Sequence, residues 1–182
     1  MSKINKHFYT WQDVEKMCTD IVLQMYKDKW HPDYIVGLTR GGNVPATIIS
    51  HMIDVSCETL KVSLRDGGEC ESNCWMSEDA FGYVPMEEQE VYKSRWDPSR
   101  RKNILIVDDI NDTGATLEWI VNDWRSSCLP NEESGWHNVF GGNVRFAVLT
   151  NNLTSNFDNI SYYAHEVNKA EDDVWLVYPW EK

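Results

Sequence analysis

The hydrophobic positions of the chain form two recurring patterns. Short runs of consecutive apolar residues, such as Tyr34–Leu38 and Ile104–Val107, are typical of strands that are buried on both faces of a parallel sheet. Longer stretches carry apolar residues at helical spacing, as between Val14 and Met25, which is typical of a helix with one buried face. Because such strands and helices alternate, we predict an α/β fold with a mostly parallel sheet flanked by helices.

The same patterns predict the positions of the other elements. Thr10 with an acid at Asp13 is a helix-start signal, and Pro45 suits the first turn of a second helix. The predicted elements are a helix from Thr10 to about Met25, a helix from Asn43 to about Asp54, strands over Thr59–Leu64, Val144–Thr150 and Ser161–Ala164, and an edge strand in the aromatic tail Asp172–Trp180. We expect Tyr178 and Trp180 to be core aromatics of that tail.

Length and composition narrow the class of protein. The 182 residues are expected to form a single domain, 1–182, with a substantial core. The net charge of −12 argues against non-specific binding to nucleic acid, which depends on Lys and Arg. No apolar run approaches the roughly 20 residues that span a bilayer, and Met1–His7 lacks the apolar core of a secretory signal. We expect a cytoplasmic protein with reduced cysteines that binds neither nucleic acid nor membrane.

A strongly acidic segment interrupts the alternation of strands and helices. Asp66–Glu90 contains eight acids and no Lys or Arg, and a basic cluster follows between Lys93 and Lys102. A connection longer than about 15 residues in a compact domain is usually functional or disordered. Its aromatic residues need partners, so we expect some structure within it, with a plain surface excursion as the alternative. The basic cluster is expected to balance the acids rather than to hold phosphate.

The most informative stretch is Ile104–Thr116. Its apolar strand ends in Asp108 and Asp109, and Asp112–Thr116 (Asp-Thr-Gly-Ala-Thr) then opens a helical pattern. These polar residues therefore lie at the carboxyl end of a strand, where open α/β sheets bind ligands. Backbone N–H groups at a helix start, a flexible glycine and two hydroxyls suit a phosphate group.

Asp108 and Asp109 would repel that phosphate, so they need other partners. Vicinal sugar hydroxyls and a divalent cation both favour carboxylate oxygens. A phosphate cradle beside such a pair predicts a site for a phosphorylated ribose, and the alternative is a buried strand followed by an acidic helix cap. In a second strand–turn–helix unit, the glycines of Thr39–Gly42 allow close approach to a ligand, and Arg40 offers a fork for phosphate oxygens. An ordinary turn is the alternative there.

The stretch Ile104–Thr116 resembles the phosphoribosyl-pyrophosphate (PRPP) signature of type I phosphoribosyltransferases. The order of elements is most similar to the bacterial xanthine–guanine and hypoxanthine phosphoribosyltransferases. The resemblance implies the type I fold: a mostly parallel twisted sheet flanked by helices, a small hood and a long inserted lid. It assigns residues 65–102 to a long flexible loop that closes over the active site, and residues 151–182 to a hood and base-binding tail.

The resemblance also implies roles for individual residues. Arg40 and Gly41 would contact pyrophosphate, with a cis peptide bond between Thr39 and Arg40. Asp108 and Asp109 would hold the ribose hydroxyls and Mg²⁺, and Thr113, Gly114, Ala115 and Thr116 would bind the 5′-phosphate. Asp112 would belong to the PRPP site and act as the general base for the proton on purine N7. These assignments together define the expected PRPP site.

Two further residues are implied to bind the base. Trp175 would stack on the purine ring, as an aromatic does at the matching place in relatives. Asn151 stands where oxopurine enzymes of the family typically place a Lys that meets the 6-oxo group. Its amide can either donate to a 6-oxo group or accept from a 6-amino group.

The implied activity is the Mg²⁺-dependent transfer of phosphoribosyl from PRPP to a purine of the guanine, xanthine or hypoxanthine type, with release of pyrophosphate, in purine salvage. The expected partners are PRPP and the base, and a homo-oligomer (dimer or tetramer) is expected by analogy. One alternative is a regulator of the same fold that senses PRPP or nucleotides, although the acidic charge argues against a version that binds nucleic acid. Another is a transferase with a pyrimidine or other base as acceptor.

Overall fold

The computed structural model describes residues 5–62, 64, 70–128, 138–172 and 174–181. The strands are β1 (Asn5–Phe8), β2 (Tyr34–Thr39), β3 (Cys57–Lys61), β4 (Ile104–Asn111), β5 (Val144–Asn152), β6 (Tyr162–Val167) and β7 (Val174–Val177). The helices are α1 (Trp11–Lys27), α2 (Asn43–Ile53), α3 (Cys74–Phe81), α4 (Met86–Tyr92) and α5 (Ala115–Cys128). None of the described helices is long and apolar enough to cross a bilayer.

Five strands form the main sheet in the order β3-β2-β4-β5-β6, and every neighbouring pair is parallel. The central position of β4 explains its continuous apolar run, because its side chains alternate between two hydrophobic cores. Ile104 and Ile106 face α3 and α5, whereas Leu105 and Val107 face α1 and α2. The predicted α/β fold with a mostly parallel sheet is confirmed.

The start of α1 confirms the predicted helix signal. The Thr10 hydroxyl accepts a hydrogen bond from the Asp13 backbone N–H at 3.2 Å, and the Asp13 carboxylate accepts one from the Thr10 N–H at 2.7 Å. This reciprocal capping satisfies two N–H groups that a helix start leaves unpaired. The apolar stripe of α1 then packs against α2 and β6.

Three predicted strands have different bounds in the structure, and one of them, β5, ends at Asn152 rather than Thr150. β3 begins at Cys57 and ends at Lys61, rather than spanning Thr59–Leu64, because its register with β2 pairs Ile35 with Cys57. β6 extends to Val167 rather than Ala164, because its pairing with β5 continues to Asn152. Pairing with the neighbouring strand determines where each strand ends. The alternating pattern in the sequence is too short to predict these ends.

The expected long flexible loop over residues 65–102 needs correction for the part that the structure describes. Residues 74–92 form α3 and α4, and α3 packs on α5 beside the sheet. Met76, Ala80 and Phe81 are buried because they share one face of α3. The loop prediction gave too much weight to the acids, which lie outside that face. Residues 65–69 of this expected 65–102 loop lie outside the described residues.

The basic cluster balances the acidic segment, as predicted. Lys102 forms an ion pair with Asp79 at 3.0 Å, and Arg100 forms one with Glu88. These pairs join the end of the inserted segment to α3 and α4.

The two ends of the described chain form a separate two-stranded parallel sheet. β1 pairs with β7, with Asn5 opposite Val174 and Phe8 opposite Val177. The predicted strand in the aromatic tail is therefore present, and its partner is the amino-terminal strand. Because β7 is held there, the residues that follow it reach the carboxyl edge of the main sheet.

Candidate active site

A cavity of about 940 Å³ opens at the carboxyl ends of β2 and β4. Most of its wall comes from the two strand-to-helix turns that the sequence singled out. Its lining residues are Thr39, Arg40, Gly41, Val44, Val62, Leu64, Asp108, Asp109, Ile110, Asn111, Asp112, Thr113, Gly114, Ala115, Thr116, Leu117, Trp180 and Glu181. The nine residues expected to bind PRPP therefore all line one cavity.

The β4–α5 turn forms one side of the cavity. Gly114 has a φ of +88°, and a β-carbon there would lie 2.6 Å from the Phe157 backbone nitrogen. The Thr113 carbonyl accepts a hydrogen bond from the Asn156 N–H at 3.1 Å, so the segment around Asn156 supports the turn. The first N–H groups of α5 follow directly and have no partners within the helix. This arrangement suits an anion such as a phosphate.

The β2–α2 turn forms the opposite side. Its Thr39–Arg40 peptide bond is cis, as the resemblance implied. A β-carbon on Gly42 would lie 2.3 Å from the Val107 carbonyl oxygen, so the turn is packed directly against β4. A β-carbon on Gly41 would likewise overlap the Asp109 carboxylate. The two glycines are therefore needed to bring Arg40 beside the acidic end of β4.

The two adjacent carboxylates have different environments. Asp108 Oδ1 accepts a hydrogen bond from the Asp109 backbone N–H at 2.9 Å. Burial, followed by the negative charge of Glu181, raises the pKa of the Asp109 carboxyl group. The Trp180 indole N–H lies near enough to Asp109 to favour the charged form of its carboxylate. A bound cation or sugar hydroxyls would favour that form further.

Buried hydroxyl groups hold the backbone of Asp109 from behind. The Tyr178 hydroxyl donates to the Asp109 carbonyl oxygen at 3.0 Å and lies 2.9 Å from Thr150 Oγ1. Since one hydroxyl carries one hydrogen, Thr150 is the donor in the second bond. Tyr178 is a buried aromatic, as predicted, and it also positions the acidic end of β4.

Asp112 is held in place from two directions. Its carboxylate forms an ion pair with Lys169 Nζ at 2.9 Å. Its backbone carbonyl accepts a hydrogen bond from Asn152 Nδ2 at 3.0 Å, and Asn152 is buried at the end of β5. Asp112 therefore presents a fixed carboxylate at the cavity wall.

The structure does not bring the two predicted base-binding residues to the cavity wall. Asn151 Oδ1 accepts a hydrogen bond from Asn111 Nδ2 at 2.9 Å, so its amide oxygen is already engaged. Trp175 lies on β7 opposite Lys6, with 52% of its surface exposed. Neither residue lies among those that line the cavity.

Sequence reasoning missed three residues at or beside the site: Trp180, Glu181 and Lys169. Trp180 was predicted to be a core aromatic, and it does pack against the core, where its ring stacks on Tyr178 with centroids 5.0 Å apart. It also lines the cavity, which the sequence did not indicate. Glu181 lines the cavity as well and accepts a hydrogen bond from the Tyr178 N–H at 3.1 Å. In the sequence of the tail, only the Pro179-Trp180 pair indicated that this segment contributes to the site.

The acidic residues fit a magnesium ion that arrives with a substrate. Among the described residues, no three His, Cys, Asp or Glu side chains are grouped closely enough to form a metal site. Mg²⁺ is usually held by one or two carboxylates together with substrate phosphates and water, so such a group is not required. Asp108 and Asp109 provide those two carboxylates at the cavity wall.

The fold and this cavity define an α/β protein that binds its ligand at the carboxyl edge of a parallel sheet. Residues 5–153 match the family model described as the phosphoribosyl transferase domain. The chain therefore belongs to the phosphoribosyltransferase family, as its sequence indicated.

Similar proteins agree with this membership. The chain is 23% identical over 199 residues to a hypoxanthine-guanine phosphoribosyltransferase of Schizosaccharomyces pombe, covering 96% of this chain and 88% of that protein. It is 21% identical over 204 residues to xanthine phosphoribosyltransferase 1 of Saccharomyces cerevisiae, covering 100% and 92%. The crystal structure of a purine phosphoribosyltransferase from Pyrococcus horikoshii superimposes with a TM-score of 0.62 at 22% identity, covering 97% and 95%. This structural likeness confirms the predicted fold class.

Proposed function

We propose that this protein transfers the phosphoribosyl group of PRPP to a purine base of the guanine, xanthine or hypoxanthine type and releases pyrophosphate. The observation that carries the proposal is the single cavity in which the β4–α5 turn, the paired carboxylates and the Arg40–Gly41 turn meet. The names of its relatives, which are hypoxanthine-guanine and xanthine phosphoribosyltransferases, support a purine acceptor in salvage.

In this proposal, PRPP lies across the two turns. The N–H groups and hydroxyls of Thr113–Thr116 bind the 5′-phosphate, because the amino end of α5 favours an anion. Asp108 and Asp109 bind the ribose hydroxyls. Arg40 and the N–H of Gly41 bind the pyrophosphate, because Arg40 is the only basic residue among the described residues that line the cavity.

We propose Mg²⁺ as the cofactor, held by Asp108, Asp109 and oxygens of PRPP. When bound, it neutralises charge on the pyrophosphate leaving group. Burial and the nearby charge of Glu181 disfavour the ionised form of Asp109, so a cation nearby would stabilise that form. The remaining steps depend on the side chains of this chain.

Asp112 is proposed to accept the proton from purine N7 while purine N9 bonds to the anomeric carbon and the bond from that carbon to pyrophosphate breaks. Its ion pair with Lys169 holds the carboxylate in place. The developing oxocarbenium character makes exclusion of water important. Trp175 is proposed to stack on the base and Asn151 to contact its edge, which requires both residues to approach the cavity more closely than they do here.

Further proposals concern the hood, the assembly and the cellular compartment. Residues 151–182 would form a hood and base-binding tail of a single domain, since β7 directs Trp180 and Glu181 to the cavity. We further propose a homo-oligomer, a dimer or tetramer, by analogy with the family. Cys18 and Cys57 are free thiols, which agrees with a cytoplasmic protein.

The direct test is pyrophosphate release from PRPP in the presence of Mg²⁺ and one oxopurine. We expect release that depends on the base, on Mg²⁺ and on PRPP together. Release without base would indicate PRPP hydrolysis rather than transfer. Binding of PRPP with no release on any oxopurine would reject the proposed activity.

A further inference from the structure

A short polar segment that begins at the last residue of β5 contacts four consecutive residues of the β4–α5 turn. This segment, Asn152–Phe157, is called the supporting segment below. Asn152 Nδ2 donates to the Asp112 carbonyl at 3.0 Å, and the Asn156 N–H donates to the Thr113 carbonyl at 3.1 Å. The contacted residues are Asn111, Asp112, Thr113 and Gly114. None of the described residues that line the cavity belongs to the supporting segment.

The side chain of Asn111 is the centre of these contacts, and only 1% of its surface is exposed. Its Nδ2 donates to the Phe157 carbonyl and to Asn151 Oδ1, both at 2.9 Å. Its Oδ1 accepts a hydrogen bond from the Ser155 hydroxyl at 2.8 Å. Both amide hydrogens are therefore used, and the amide has one orientation that satisfies all three partners.

Ser155 joins this amide to the glycine of the turn. Its hydroxyl donates to Asn111 and accepts a hydrogen bond from the Phe157 N–H at 3.2 Å. A β-carbon on Gly114 would lie 2.8 Å from Ser155 Oγ, so the hydroxyl lies directly against the glycine. Ser155 thus contacts the turn from behind, from a position outside the cavity wall.

The shape of the turn determines how well it can bind a phosphate. Backbone N–H groups at a helix start bind an anion when they point toward it together. Gly114 has a φ of +88° and lacks a side chain, so its own sequence restricts the turn little. The supporting segment supplies that restriction in the ligand-free protein. A turn that is ordered beforehand loses less conformational entropy when a ligand binds.

We propose that Ser155 is a positioning residue for the 5′-phosphate of PRPP, because its hydroxyl holds Asn111 and Gly114 so that the turn has its binding shape before a ligand arrives. This inference rests on the part of the proposed function that assigns the 5′-phosphate to Thr113–Thr116. It is independent of which base accepts the phosphoribosyl group. Loss of the hydroxyl leaves the buried Asn111 oxygen and the Phe157 N–H without this partner and gives the turn room to move.

The experiment compares Ser155→Ala with the wild-type protein for binding of ribose 5-phosphate, measured by titration calorimetry. This ligand carries the phosphate and the ribose hydroxyls of PRPP without the pyrophosphate. We expect its Kd to rise about 5- to 30-fold, the effect of losing one or two buried hydrogen bonds. The KM for PRPP should rise by a similar factor. The kcat and the KM for hypoxanthine at saturating PRPP should stay within about 3-fold, because the Ser155 hydroxyl is bonded to Asn111 rather than to Asp112.

Ser126→Ala is the matched control. The Ser126 hydroxyl donates to the Asp123 carbonyl at 3.0 Å near the other end of α5, so the variant loses a hydroxyl and a hydrogen bond outside the cavity. It should bind ribose 5-phosphate as the wild type does. Thermal unfolding of both variants verifies that they fold.

Amide hydrogen exchange of the ligand-free wild-type protein, followed by NMR, tests the same inference without a substitution. The N–H groups of Asn156 and Phe157 should exchange slowly before any ligand is added, because both are hydrogen-bonded in the contacts with the turn. Exchange as fast as that of exposed amides, slowed only by ribose 5-phosphate, would overturn the claim that the turn is ordered beforehand.

The outcomes separate this inference from the proposed function. Unchanged ribose 5-phosphate binding in Ser155→Ala would overturn the role of the hydroxyl. Equal losses in the KM for PRPP, the KM for hypoxanthine and kcat would mean that the substitution disturbs the whole site, and would overturn it as well. A wild-type protein that binds ribose 5-phosphate but forms no nucleotide would reject the transferase activity, while weaker binding by Ser155→Ala would still support the positioning role.

Discussion

A β-carbon on Gly41 would lie 1.9 Å from Asp109 Oδ2. The loop proposed to hold pyrophosphate is therefore in direct contact with a carboxylate proposed to hold ribose and Mg²⁺. Each turn limits where the other can lie, so the cavity depends on both. Gly41 tests this dependence, because its substitution adds a single methyl group and changes no charge.

We expect Gly41→Ala to raise the KM for PRPP at least about 10-fold, because the loop or the Asp109 carboxylate must move to relieve the overlap. Gly141→Ala is the control. Its positive φ of +90° makes alanine unfavourable by about 1–2 kcal/mol, but the position lies outside the cavity. It should lower thermal stability without changing the KM for PRPP. Wild-type PRPP kinetics in Gly41→Ala would show that the contact is unimportant.

Asp112→Asn should reduce kcat by about 10²- to 10⁴-fold, the range for loss of a general base. PRPP binding, measured by titration calorimetry, should weaken far less, because the amide retains the shape of the side chain. Asp172→Asn makes the same chemical change at an exposed position and should behave as wild type. Equal losses in turnover and PRPP affinity would exclude Asp112 as the general base.

Asp109→Asn should stabilise the ligand-free protein at pH 7 and abolish transfer. Burial raises the pKa of Asp109, so its favourable contribution is present below the unfolded pKa and is lost as pH rises through the folded pKa. At neutral pH the buried charge opposes folding, and the gain in Tm from Asp109→Asn should shrink as pH falls toward 4. We expect a gain of about 2–4 °C, the effect of about 1 kcal/mol in a chain of this size.

Differential scanning calorimetry across pH measures this effect. Exposed Asp158→Asn provides the control, and its Tm should follow that of the wild type. A lower Tm for Asp109→Asn at pH 7 would mean that the carboxylate stabilises the empty site. The prediction that the buried Asp109 charge opposes folding of the ligand-free protein would then be wrong.

Trp175 and Trp180 are the two candidates for the aromatic side chain that stacks on the base. Trp175 was expected to stack on the purine, yet Trp180 is the one that lines the cavity. Stacking on an aromatic side chain contributes about 1–3 kcal/mol per base, so removing the platform should raise the KM for the base about 5- to 150-fold. We expect this rise for Trp175→Ala. A rise confined to Trp180→Ala would transfer the role to Trp180.

The central part of the site could be predicted because it is local in sequence. Residues 104–116 contain a buried strand, three acids and a helix start, and each signal acts over a few residues. The cavity then follows from parallel pairing of β4 with β2, which brings the Arg40 turn alongside. The same reasoning located the buried strands and the capped helix α1.

The remaining parts depend on contacts between distant residues. Trp180 and Glu181 reach the cavity because β7 pairs with β1, about the full length of the chain away. Lys169 reaches Asp112 through the hydrogen bonds of Asn152, which no spacing in the sequence reveals. Helix α3 was obscured because its acids gave the segment the composition of a loop, although its apolar residues share one face.

The most direct measurement is identification of the nucleotides formed when the protein receives PRPP and Mg²⁺ with an equimolar mixture of guanine, xanthine, hypoxanthine, adenine, uracil and orotate. Chromatography with mass detection separates the products. The account predicts a nucleotide from at least one oxopurine in excess over AMP and over both pyrimidine nucleotides. Formation of AMP, UMP or OMP alone would contradict the assigned acceptor, and tight PRPP binding with no nucleotide would point instead to a PRPP-sensing regulator.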